Sequence, residues 1–190
     1  MIPFLDQSYV PGIGFYIAAL VVAGIGAWSD WRTGEIPNWP AFAAILLAPI
    51  AHIIASKAAG FETSKALVEG GISICGALLC ALIPMLLYSK DAIGGGDVKL
   101  FAALGALCDP RAGVELQMYS FFVAALIAPA RLAYDGKLFR TLQNSLLLMV
   151  NPFLPQSKKR TVAVEMMSWL RLGPAILIGV AITAMENWRR

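Results

Sequence analysis

The sequence predicts an all-α polytopic membrane protein with six transmembrane helices, and three observations carry that prediction. Hydrophobic residues make up 58% of the 190, and only 14% are charged, whereas soluble domains carry about 25% charged residues. Mean hydropathy is +0.70. Six apolar segments follow one another along the chain, most of them approaching the roughly 20 residues that a span needs. One membrane-embedded domain covering 1–190 accounts for this pattern better than two soluble ones.

The first segment, 12–28, reads GIGFYIAALVVAGIGAW. No Lys or Arg stands in the first eleven residues. A cleavable signal peptide needs a positive leading region, so this segment is read as a retained span. The second segment is 40–56 with Pro49 inside, and the third is 66–88. The fourth, VKLFAALGALC at 98–108, is too short unless it starts within the depth of the bilayer. The fifth is 116–134 and the sixth is 173–188. The loop at 135–172 holds two further apolar runs, 145–155 and 162–172. The first of these ends in prolines and is expected to lie at the interface as an amphipathic or re-entrant piece; were it to cross, the spans would number seven and the C-terminus would lie inside.

Orientation follows from the basic residues. With the N-terminus outside and six spans, ten of the fifteen Lys and Arg fall in inner loops, as the positive-inside rule requires. A net charge of +3, with no basic run beyond Lys158-Lys159-Arg160, gives no footprint for nucleic acid. Cys75, Cys80 and Cys108 form no CxxC pair, so a zinc ribbon is unsupported. The single histidine, His52, is expected to be packed or interfacial.

Two aspartates stand out. Asp30 ends the first span and Asp97 starts the fourth, so this topology puts both at the inner face. Converging carboxylates cannot both ionise cheaply, and the pair holds one proton. The charged member can then take a proton from water while its protonated partner donates to a carbonyl oxygen. This hydrolyses an amide without metal, cofactor or nucleophilic side chain. Gly94, Gly95 and Gly96 offer room for a substrate backbone and for unusual dihedrals. Pro37 fixes the backbone after the first loop, and Asn38 is a turn former or helix cap before the second span. Lys99 is placed to reach phosphate headgroups or to tune the pair. Asp91 is read as solvated, and Asp109 and Glu115 belong to the outer loop. The alternative is a small transporter or channel that uses the two aspartates as an ion or proton relay. A further rival is a membrane scaffold in which the acids are incidental.

The stretch Gly94-Gly95-Gly96-Asp97 fits the Gly-x-Gly-Asp motif of the type IV prepilin peptidases, which GDVKL extends through Lys99 and Leu100. DWRTGEIPN at 30–38 resembles the first aspartate motif of that family, and GPAILIG at 173–179 is similar to the opening of its last span. The resemblance implies a six-span aspartic protease of the bacterial inner membrane, with Asp30 and Asp97 as the catalytic pair at the cytoplasmic face. It implies a prepilin substrate with a basic leader and a hydrophobic helix, in contact with membrane lipid. Only eleven residues precede the first span, and no CxxC is present. The chain is therefore similar to the short form associated with Flp pili, for which methyltransferase activity is not expected. A homo-oligomer is compatible with the sequence but not required by it. Presenilin-type proteases share Gly-x-Gly-Asp but place a Tyr-Asp motif before it, whereas Tyr134-Asp135 follows it here.

Overall fold

A computed structural model describes residues 12–134, 136 and 171–188. Among the described residues there are five α-helices and no strand: α1 Ile13–Thr33, α2 Asn38–Ala58, α3 Thr63–Tyr88, α4 Gly95–Tyr134 and α5 Gly173–Trp188. The first four are long and apolar enough to cross a membrane, which makes the chain a multi-pass membrane protein. By its internal contacts the chain forms two compact units, Met1–Val123 with Arg171–Arg190, and Ala124–Leu170. The two aspartates and their surroundings belong to the first. The interfacial piece expected at 145–155, and 162–170 of the second apolar run, lie outside the described residues.

Helices stand at all six predicted segments, but the fourth and fifth are limbs of one element. α4 breaks at Asp109, where φ is 72° and ψ is 164°. The first limb, 95–108, and the start of the second, 110–123, double back on each other. The rings of Phe101 and Phe121 lie 5.4 Å apart, whereas an unbroken helix would separate these residues by about 30 Å. Asp109 Oδ1 accepts the N–H groups of Arg111 at 2.7 Å and Ala112 at 3.0 Å. It thereby caps the second limb, and Pro110 takes the following position, where its missing N–H costs nothing.

Helix ends extend past the apolar runs. The first run stops at Trp28, but α1 continues to Thr33 because Gly34 can adopt φ 76° and return its N–H to the Asp30 carbonyl. This is the left-handed terminator that glycine favours. Pro37, not Asn38, takes the cap position of α2, with extended dihedrals (φ −64°, ψ 140°). Asn38 is the first helical residue, which leaves its side chain free for another partner.

The 95–108 limb is the centre of the bundle, with Leu100, Phe101, Leu104, Leu107 and Cys108 all buried. Small residues let the neighbouring helices approach. A Cβ on Gly76 would sit 2.3 Å from the Gly105 carbonyl oxygen, so α3 and this limb touch backbone to backbone, as membrane helices do where small residues meet. Polar side chains bond across the same seams. Ser73 Oγ donates to the Ala106 carbonyl at 2.7 Å, and Gln117 Nε2 donates to the Cys80 carbonyl at 2.8 Å. His52 is packed as expected, with its ring stacked on Phe15 at 3.9 Å and Nε2 3.1 Å from the Leu107 carbonyl. Around this core α1 packs chiefly on α5 and α2 on α3, while large apolar side chains such as Leu46, Leu78 and Leu86 face outward.

Candidate functional site

Both aspartates are buried at one end of the bundle, Asp30 at 6% and Asp97 at 8% exposure. Their helices meet there. A Cβ on Gly26 of α1 would lie 3.1 Å from a Leu100 methyl, and a Cβ on Gly96 would lie 2.9 Å from the Ile36 Cβ. The connection from α1 to α2 is thus threaded against the first turn of α4. The two carboxyls lie within electrostatic reach of each other.

Asp97 is held by its own helix. Its Oδ2 accepts the Gly94 N–H at 3.1 Å, and its own N–H donates to the Gly94 carbonyl at 3.1 Å. This reciprocal arrangement is the logic of a capping box. Asp97 lines a cavity of about 250 Å³ whose walls are Gly34, Glu35, Ile36 and Asn38 on one side and Gly94, Gly95 and Gly96 on the other. Among the glycines with left-handed dihedrals none belongs to the 94–96 run, which corrects the expectation of unusual dihedrals there. The run provides space instead: a side chain on Gly96 would strike Ile36, and one on Gly95 would meet the Tyr88 ring at 3.5 Å.

Asp30 is held by a distant segment. Its Oδ2 accepts the N–H of Gly173, the first residue of α5, at 2.9 Å. A helix start carries partial positive charge and suits a carboxylate. The contact requires glycine, because a Cβ at 173 would lie 2.9 Å from both Cβ and Oδ2 of Asp30. Arg171 secures the same segment by donating to the Trp31 carbonyl, one of the carbonyls left open at the end of α1. Residues 171–173 therefore form a strap over the end of α1. Sequence reasoning did not find Gly173 or Arg171 as site residues. A backbone N–H leaves no signature, and only the resemblance of GPAILIG marked the segment.

Lys99 meets neither carboxyl. Its Nζ donates to Asn38 Oδ1 at 2.8 Å and lies 5.4 Å from the centre of the Phe42 ring, so it ties the start of α4 to the start of α2. Asp91 is exposed, as expected. Asp109 stands at the opposite end of the 95–108 limb. Trp28, Trp31 and Trp39 are all about two-thirds exposed around the aspartate end, which is the signature of side chains at headgroup level. No three His, Cys, Asp or Glu side chains converge to form a metal site among the described residues.

Two buried carboxyls at one end of the bundle, one of them lining a small polar cavity, suit proton transfer to and from a polar bond. A model of the type IV leader peptidase family matches residues 15–129, a stretch that contains most of α1, all of α2 and α3, both aspartates and most of α4. No curated protein and no solved structure matches the chain.

Proposed function

The chain belongs to the type IV leader peptidase family, and from that premise we propose that it is an aspartic endopeptidase that removes the leader from prepilins with Asp30 and Asp97 as its dyad. The observation that carries this reading is the meeting of two buried acids, 67 positions apart in sequence, at one end of the bundle. One membrane-embedded peptidase domain with six crossings, its aspartate end in the cytoplasm, fits the distribution of basic residues. The similarity of the chain to the short form of the family points to Flp-type prepilins as substrates.

The scissile amide enters the cavity beside Asp97. The ionised carboxylate of the pair takes a proton from water as the water oxygen attacks the carbonyl carbon. The protonated partner donates its proton to the carbonyl oxygen, giving a neutral tetrahedral diol. Collapse of that diol re-forms the carbonyl, breaks the C–N bond and passes a proton to the departing amine. Gly173 N–H and Gly94 N–H hold the two carboxyls in place throughout, so little reorganisation accompanies charge movement. An ion relay, the other class of function considered for these acids, draws no support from family membership.

The reading is tested with the purified chain in liposomes and a synthetic peptide in which a basic leader precedes an apolar helix. Mass spectrometry should find one new N-terminus at the leader boundary with the unaltered chain and none with Asp97→Asn. Normal cleavage by Asp97→Asn would remove Asp97 from the mechanism.

A further inference from the structure

A second cavity, far larger and apolar, lies between α1 and α2. It has a volume of about 800 Å³. Its floor is made of small side chains on α2, Ala44, Ala48, Ala51 and Ala55 among them, and its α1 wall includes Ala18 and Ile25. Val21 and Leu47 stand on its rims and are more than half exposed. Helices consecutive in sequence usually pack together, and alanines would allow a close approach. Yet α1 packs more on α5 and α2 more on α3, and the seam between them is bridged where Phe15 stacks on His52 and otherwise leaves room for the cavity.

The position of this groove says what fills it. Asn38 walls the aspartate cavity, and the next two residues, Trp39 and Pro40, wall the groove. The two spaces therefore adjoin at the start of α2. From Trp39 to Ala55 the groove follows α2 for about 24 Å, most of the roughly 30 Å hydrocarbon thickness. A peptide whose bond lies beside Asp97 must continue somewhere, and an apolar trough opens at that point. A backbone lying at membrane depth has to satisfy its own hydrogen bonds, which requires a helix.

We infer that the groove between α1 and α2 is the docking site for the membrane-spanning helix of the substrate. In it the helix lies along α2, with its first turn unwound into the aspartate cavity. The small floor accepts the larger side chains of the incoming helix, and exposed Trp39 stands where helix gives way to extended chain. This inference rests on the peptidase reading and adds to it a defined surface and a direction of entry.

Photo-crosslinking tests it in the full chain. A photoreactive amino acid is placed at Val21 or Leu47 in the groove, or at Leu78 or Leu82 on the exposed face of α3, in an Asp97→Asn background that retains the probe. The probe is a synthetic peptide with a basic leader and an apolar helix of about 20 residues. The groove positions should label the peptide and the α3 positions should not. In an otherwise unaltered chain, Ala51→Trp should raise KM for this peptide by at least about ten-fold, the scale of a modest steric loss. It should leave the cleavage of a short leader peptide lacking the apolar helix unchanged. If the unaltered chain cleaves the probe but Val21 and Leu47 label only lipid or a second copy of the chain, the docking assignment is overturned and the peptidase reading stands. If the unaltered chain cleaves nothing, the peptidase reading fails and the docking assignment falls with it.

Discussion

Asp97 and Asp109 bracket the same buried limb of α4, and both sit at the start of a helix. Asp109 spends its acceptor capacity on structure: one oxygen takes two backbone N–H groups and holds a residue at φ 72°. That dihedral lies where non-glycine residues are strained by about 1–3 kcal/mol, so the cap offsets a local cost at the fold-back. Asp97 accepts one N–H and faces a cavity. It also has Asp30 nearby, held from the far side by Gly173. An acid that completes a helix end and an acid available for chemistry look alike in sequence. They differ in what is left over once the backbone has been served.

The largest expected effects separate these two acids outright. Asp97→Asn should lower leader cleavage on the order of 10³-fold or more, the scale of a lost acid–base group. Asp109→Asn keeps a capping side chain and should leave the rate near that of the unaltered chain, as read in single-turnover assays in membranes. A comparable loss from both would erase the distinction drawn here.

Next in size is Gly173→Ala. The added Cβ falls 2.9 Å from the Asp30 carboxyl oxygen and must push either the carboxyl or the strap aside. Misplacement by about 1 Å costs on the order of 10²-fold in rate, so kcat should drop by that scale while the melting temperature in detergent changes little. A Gly173→Ala protein with full activity would show that the strap does not position Asp30.

The pH profile sharpens the comparison in another way. A pair that must hold one proton loses activity on both sides. At low pH both carboxyls are protonated and no base remains, and at high pH both are ionised and no acid remains. The rate should therefore be bell-shaped in pH, and Asp109→Asn should leave both limbs unmoved. A profile with a single limb would mean that one carboxyl works alone.

The smallest effect belongs to Lys99. Removing its bond to Asn38 in Lys99→Met should cost about 0.5–1.5 kcal/mol of stability. Asn38→Ala should cost a similar amount, and the double variant little more than either, because the two act through one contact. Simple additivity of the two losses, measured by thermal melts, would mean they are unconnected.

Much of this arrangement could be read from the sequence. Low charge and recurrent apolar segments gave helices at every predicted position, and the order of the spans put Asp30 and Asp97 at one end. What escaped has physical reasons. Gly173 contributes a main-chain N–H, which any residue type carries, and its partner lies 143 positions away. Apolarity marks where a helix contacts lipid or protein, not where its hydrogen bonds stop, so α1 ran past Trp28 to the glycine that could end it. The fold-back at Asp109 left a short fourth segment, and its length alone did not show that it joins the fifth without a loop. Lys99 and Asn38 were picked out separately, but nothing along the chain says that they bond to each other. The cavity between α1 and α2 was invisible for a similar reason, since alanines spaced along a helix read the same whether or not a neighbour covers them.

The central claim is that Asp30 and Asp97 act as one unit on the substrate. It is tested most directly by single-turnover cleavage of a leader-bearing peptide by Asp30→Asn, Asp97→Asn and the double variant in the same liposomes. Residues that share one proton give grossly non-additive losses, so the account predicts that each single variant is as inactive as the double. If either single variant retains substantial cleavage, or if the two losses multiply in the double, the acids work independently and the dyad is contradicted.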